Sequence, residues 1–112
     1  MEANKIIITG GATRIGAAIA RKLSAKGVEI VIHYNKSKTK AEKLKKELST
    51  NGTKVYLIKG DLSVESDVNK VVKFAKSKLK YFDCLINNAS LFENDKLENF
   101  NTDSWGQHLR TN

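Results

Sequence analysis

Four short apolar runs, separated by three stretches of helical periodicity, set the tightest limit on what this chain can fold into. Lys5 to Thr9, with three consecutive isoleucines, reads as a buried strand. Val28 to Tyr34 (VEIVIHY), Lys54 to Ile58 (KVYLI) and Asp83 to Asn87 (DCLIN) read the same way. After the first strand, Ile15, Ile19 and Leu23 recur at helical spacing with Ala18 and Ala20 nearby, and Gly27 is placed to end that helix. Thr39 and Glu42 form a capping-box pair for a second helix. Its apolar stripe is Ala41, Leu44 and Leu48, and Asn51-Gly52 ends it. Ser63 is placed to cap a third helix, with Glu65 and Asp67 in the first turn, where the dipole favours acids. The stripe of that helix is Val68, Val71, Val72, Ala75 and Leu79. Residues 88–101 read as a loop, and Thr102 as the cap of a helix carrying Trp105 and Leu109. Strands alternating with helices imply an α/β fold: a doubly wound, Rossmann-like parallel sheet covered on both faces.

The 112 residues fit one domain. The last helix runs to LRTN without a closing signal, and the fourth strand lacks a neighbour on one side. Residues 1–112 are therefore expected to be the N-terminal, four-strand portion of one larger domain whose C-terminal half is absent. No apolar run is long enough for a membrane span or a signal peptide. The lone Cys84 rules out an intrachain disulfide and suits a reducing cytoplasm. The net charge of +8 has two readings. One is an anionic partner such as nucleic acid. The other is a solvated lysine face, favoured because lysines 36, 38, 40, 43, 45 and 46 carry no interleaved aromatics for stacking bases.

TGGATRIG, from Thr9 to Gly16, directly continues the first strand. A triphosphate loop needs G-x-x-x-x-G-K-[ST]. Gly11 and Gly16 have that spacing, but Ala17 and Ala18 stand where the lysine and the hydroxyl are required. The literal dinucleotide fingerprint G-x-G-x-x-G is absent too. Its mechanics remain: a glycine turn leaves a buried strand and opens a helix near residue 14, aiming N–H groups at phosphate. On the glycines alone, a tight turn with no ligand is the alternative. In such folds an acid after the second strand takes the ribose of NAD, and basic residues accept the extra phosphate of NADP. HYNKS, His33 to Ser37, has no acid and offers Lys36 and Ser37, with Arg14 nearby. That charge favours NADP, although a lone Lys36 is more commonly a surface residue. Asp61, in GDLS, suits either a polar contact to adenine or the start of a helix.

Together these segments resemble the short-chain dehydrogenase/reductase family. TGGATRIG is similar to its T-G-x-x-x-G-x-G loop, GDLS (60–63) to its adenine-binding segment and INNAS (86–90) to its N-N-A-G segment. The resemblance covers the whole chain, roughly the first half of a typical member. Two positions depart: Arg14 replaces the middle loop glycine, and Ser90 the glycine after N-N-A. Both, with HYNKS and Phe92, resemble the pteridine-reductase-like branch.

That resemblance implies a set of roles. Gly10, Arg14, Ile15 and Gly16 belong to the cofactor loop. His33, Tyr34, Asn35, Lys36 and Ser37 form the segment that takes the 2′-phosphate of NADPH. Asp61 and Leu62 serve the adenine, and Asn88, Ala89 and Ser90 the crevice side of the cofactor. Arg14, Ser90 and Phe92 border the substrate; Phe92 either stacks on a pterin or packs on the helix from Thr102. Asn112 resembles the asparagine that supports a water in the family's proton relay. The acid–base pair Y-x-x-x-K comes later in the family chain, and the expectation is that this chain lacks it. No metal site is implied.

The expected full-length protein is a cytoplasmic, homo-oligomeric, NADP-dependent oxidoreductase. It would transfer hydride to a small pteridine-like substrate, with no nucleic-acid or membrane partner. The cofactor supplies the hydride chemistry. A carbonyl or 3-oxoacyl reductase of the same family, and a non-catalytic NADP-binding module, are the alternatives. Residues 1–112 alone are expected to be inactive.

Overall fold

The computed structural model describes residues 4–88. In chain order these are β1 (Lys5–Thr9), α1 (Arg14–Leu23), β2 (Glu29–Tyr34), α2 (Lys38–Ser49), β3 (Lys54–Lys59), α3 (Glu65–Leu79) and β4 (Cys84–Asn87). The expected helix with Trp105 and Leu109 lies outside the described residues.

The four strands form one parallel sheet in the order β3-β2-β1-β4. Ile7 pairs with Val31 on one side and Leu85 on the other. The two-residue strand period then sorts the isoleucines by face. Ile6, Ile8, Ile30 and Ile32 pack with Ala17 and Ala20 of α1 and Leu44 and Leu48 of α2. Ile7 and Val31 pack on the opposite face with Val72, Ala75 and Leu79 of α3 and with Phe82. Burial on both faces is why β1 reads as an unbroken apolar run rather than an alternation. Each fully buried isoleucine contributes about 1.5–3 kcal/mol. The fold is the doubly wound, Rossmann-like α/β arrangement expected from the sequence. The lysines of α2 are exposed, as the solvated-face reading requires.

Several local expectations need correction. Ile15 does not join the core; it is 66% exposed, and α1 presents Gly16, Ala17 and Ala20 to the sheet instead. Close packing of the helix start on the glycine turn selects these small residues. Ile19 and Leu23 are only half-buried beside the core. α1 ends at a Ser24 cap, so Gly27 (φ +88°) belongs to the following turn and not to the helix end. α2 begins at Lys38 after Ser37, which places Thr39 in its first turn and Glu42 in the turn after it, so the two do not form its cap. α3 has Val64 at its N-cap with no side-chain cap bond. The Ser63 hydroxyl donates to Asp61 Oδ1 instead (2.6 Å). β4 begins at Cys84, because Asp83 is used otherwise: its carboxylate accepts from the amides of Asn4 and Lys5, both at 2.9 Å.

From β1 the chain moves to β2 and β3 on one side, then reaches β4 on the other. β1 and β4 therefore flank the point where strand order reverses. Open α/β sheets place their ligand crevice there, outside the carboxyl ends of the strands. Thr9 with Gly10, and Asn87 with Asn88, stand at that end.

Candidate functional site

Gly10 turns the chain out of β1 at φ +63°, a left-handed conformation that glycine adopts without a Cβ penalty. Its carbonyl accepts from Thr13 N (3.1 Å), Thr13 Oγ1 (2.8 Å) and Asn88 Nδ2 (3.1 Å). Thr13 is the N-cap of α1; its hydroxyl oxygen also accepts from Gly16 N (3.2 Å) and Asn88 Nδ2 (3.0 Å). Thr13 and Asn88 thus tie the turn after β1 to the end of β4. Sequence reasoning passed over Thr13, although a threonine just before a helical stretch is an N-cap signal in its own right. Asn87 makes a second tie, its Oδ1 accepting from Thr9 Oγ1 at 2.9 Å.

Gly16 is needed for a different reason. A Cβ there would overlap Gly10 O and stand 2.7 Å from Gly11 Cα. The helix start is consequently pressed against the turn. The first amides of an α-helix have no intrahelical acceptor. Those of Arg14 and Ile15 make no hydrogen bond among the described residues. Both residues are exposed, at the positive end of α1. Such a terminus suits phosphate.

The second and third strands bring the remaining groups to the same end of the sheet. Tyr34 is half-buried at the end of β2, and Asn35 and Lys36 are exposed. Ser37 precedes α2, and its side chain makes no capping bond. Asp61 Oδ1 accepts from Ser63 Oγ and Ser63 N, while Asp61 N donates to Asp67 Oδ2 at 2.8 Å. Hydrogen bonding from Ser63 holds the Asp61 carboxyl below its usual range, and attraction to Lys36 adds to this. The loops after β2 and β3 meet where Gly60 N donates to Tyr34 O at 3.0 Å. Leu62 is buried against Val68 and Val71, so only its backbone is available to a ligand.

His33 has a different place from the other HYNKS residues. It is 2% exposed, and both ring nitrogens are occupied. Nδ1 accepts from Gly10 N at 3.0 Å, and Nε2 donates to Gly60 O at 2.7 Å. Its ring has no nitrogen left for a phosphate. Burial pushes its pKa below the ordinary 6.5, against smaller opposing effects of the Gly60 bond, Asp61 and Asp67.

Ala89, Ser90, Phe92 and Asn112 lie outside the described residues. One expectation fails in the sequence itself: Tyr34 does have a lysine four residues on, Lys38. The two do not share a helix, since Tyr34 ends β2 and Lys38 opens α2. The Cys84 thiol is half-buried, and burial raises its pKa, which disfavours the reactive thiolate. Among the described residues, no three histidine, cysteine, aspartate or glutamate side chains gather as a metal site.

The family model for the short chain dehydrogenases matches residues 4–112. The chain belongs to this family. Short-chain dehydrogenases are oxidoreductases, and a glycine turn held between β1 and β4 is the part of the family fold seen here. A curated relative, the short-chain dehydrogenase/reductase FrzI of a Cladobotryum species, is 29% identical over 95% of this chain and 41% of its own length. The crystal structure of a short-chain dehydrogenase from Oenococcus oeni PSU-1 is 38% identical, with a TM-score of 0.70 over 77% of this chain and 40% of that one. FolM alternative dihydrofolate reductase 1 from Brucella canis, solved with NADP, is 36% identical. Its TM-score is 0.68 over 79% of this chain and 35% of that one. The chain spans about two-fifths of the length of the relatives it matches. No helix among the described residues is long and apolar enough to cross a membrane.

Proposed function

We propose that the whole protein is an NADPH-dependent reductase whose substrate is a pteridine-like heterocycle. The observation that carries the cofactor assignment is the charge at the sheet's carboxyl end. Free amides and Arg14 meet the phosphate position, and the loop after β2 offers Lys36 and Ser37 with no acid. The glycine cradle fits the same group, because a Cβ at Gly16 would close it. A dinucleotide held there would have its pyrophosphate on the α1 terminus, its 2′-phosphate at Lys36 and Ser37, and its adenine by Asp61. When bound, NADPH supplies the hydride; this chain's residues hold and orient it.

The pteridine assignment rests on Arg14, Ser90 and Phe92. The likeness to a dihydrofolate reductase supports it. Arg14 brings a permanent planar charge to the crevice rim, suited to both phosphate and a flat heterocycle. Ser90 and Phe92 follow Asn88 within four residues in the sequence, and Asn112 is assigned to the proton relay. Residues 1–112 are the cofactor-binding portion of a larger domain on this reading. Titration with NADPH and NADH tests the cofactor assignment: NADPH should bind at least roughly tenfold more tightly. Equal affinities would remove it. Turnover of dihydropterins against ketones by the whole protein tests the substrate. Preference for ketones would favour the carbonyl-reductase reading.

A further inference from the structure

Among the described residues, His33 is a buried side chain that joins the glycine turn to the loop carrying Asp61. Its neighbours dictate its chemistry. Gly10 N–H can only donate, so Nδ1 must be unprotonated. The Gly60 carbonyl can only accept, so Nε2 must carry the proton. The ring is thus a neutral Nε2–H tautomer, set by its partners. The Gly60 amide in turn donates to Tyr34 O (3.0 Å), and Gly11 N donates to His33 O (3.0 Å). Main-chain bonds on either side of the ring therefore hold β2 between the two loops. Gly10 is gripped at both polar atoms: its N–H by His33, its carbonyl by Thr13 and Asn88. At 2% exposure, water cannot readily replace the ring.

We propose that His33 is a positioning residue: as a neutral imidazole it fastens the phosphate turn at Gly10 to the adenine-side loop at Gly60, and the cofactor site loosens when the ring takes a second proton. The functional half of this proposal rests on the NADPH reading above. Protonation would turn Nδ1 into a donor facing the Gly10 N–H, replacing an attraction by a repulsion at 3.0 Å. The groups around the ring pull in opposite directions. Asp61 and Asp67 favour the charged ring, and Lys70 opposes it; burial is the largest influence and keeps the ring neutral. Loss of the ring would leave the Gly10 N–H buried and unpaired, a cost of roughly tenfold or more in any equilibrium that needs the turn.

The test uses the full chain and three readouts. Long-range nitrogen–proton NMR of the histidine rings should show His33 as the Nε2–H tautomer at about pH 7.5. Protection of the Gly10 amide from hydrogen exchange, corrected for the intrinsic rate, should fall as the pH is lowered below the ordinary histidine range of about 6.5. His33→Leu should lose Gly10 protection and weaken NADPH binding roughly tenfold. His33→Gln, which keeps one acceptor and one donor, should recover part of both. An Nδ1–H tautomer, or Gly10 protection that ignores both pH and His33→Leu, would overturn the proposal. If His33→Leu does not fold, the two wild-type measurements still decide. A chain with the expected tautomer and protection that binds no NADPH would keep the clamp and sink the cofactor reading.

Discussion

Individual residues at the glycine turn work against small tolerances. Gly16 has no room for a methyl group, with Gly10 O, Gly11 Cα and Asn88 Nδ2 around the missing Cβ. Gly16→Ala should therefore lower stability by about 1–3 kcal/mol in urea unfolding, the usual cost of overpacking. An unchanged midpoint would show that the turn yields freely. Lys36 acts through charge rather than shape. Lys36→Glu would place an acid where the reading puts the 2′-phosphate, and beside the Asp61 carboxylate. NADPH affinity should drop roughly tenfold or more while NADH binding changes little; equal losses for both cofactors would separate Lys36 from the 2′-phosphate. That Arg14, Lys36 and Asp61 stand at the carboxyl end of the sheet was legible in the sequence, because the order of strands suffices to place them there. The clamp role of His33 was not, since an exposed phosphate ligand and a buried spacer look the same in HYNKS.

At the scale of elements, α1 shows how packing overrules periodicity. Ile15, Ile19 and Leu23 form a true helical stripe, yet the stripe lies beside the core, with Arg14, Lys22 and Ile86, in an open groove. The sheet takes Ala17 and Ala20 instead, because the glycine turn draws the start of α1 in close. Ile15→Ala should consequently change the stability of this chain by no more than about 0.5 kcal/mol. Ile30→Ala, on β2 with no exposed surface, should cost about 2–5 kcal/mol. Comparable losses at the two positions would return Ile15 to the core. The helix starts diverged from the sequence for a related reason. Thr39 and Ser63 are good capping residues, but the connections from β2 and β3 set where α2 and α3 begin, and Asp61 takes the Ser63 hydroxyl.

For the molecule as a whole, the neutral His33 links folding to pH. Its pKa is lowered in the folded chain, chiefly by burial, from an ordinary 6.5. Between those two values the unfolded chain binds more protons than the folded one, so stability rises with pH. The contribution is complete above 6.5 and is lost as pH falls through the folded value. Urea midpoints should decline on acidification below about pH 6.5, and the decline should be shallower in His33→Gln. Identical pH profiles would mean that His33 does not carry the dependence. Asp61 contributes in the same direction at lower pH, because its folded pKa is depressed and its protonation loosens the Ser63 contacts.

The sequence by itself determined the order of elements from β1 to β4, the parallel sheet, the apolar stripes of α2 and α3 and the end of the sheet where charge collects. Those follow from local periodicity, the glycine turn and the rule that parallel strands need covering helices, all of which act over a few residues. Tertiary structure alone decided which face of α1 is buried, which hydroxyls cap helices and what His33 does. Each of these depends on groups far apart in the chain: Gly10 with Asn88, and His33 with Gly10 and Gly60. A linear pattern records which side chains are present. It does not record which backbone amide or carbonyl will stand within hydrogen-bonding distance of them after folding.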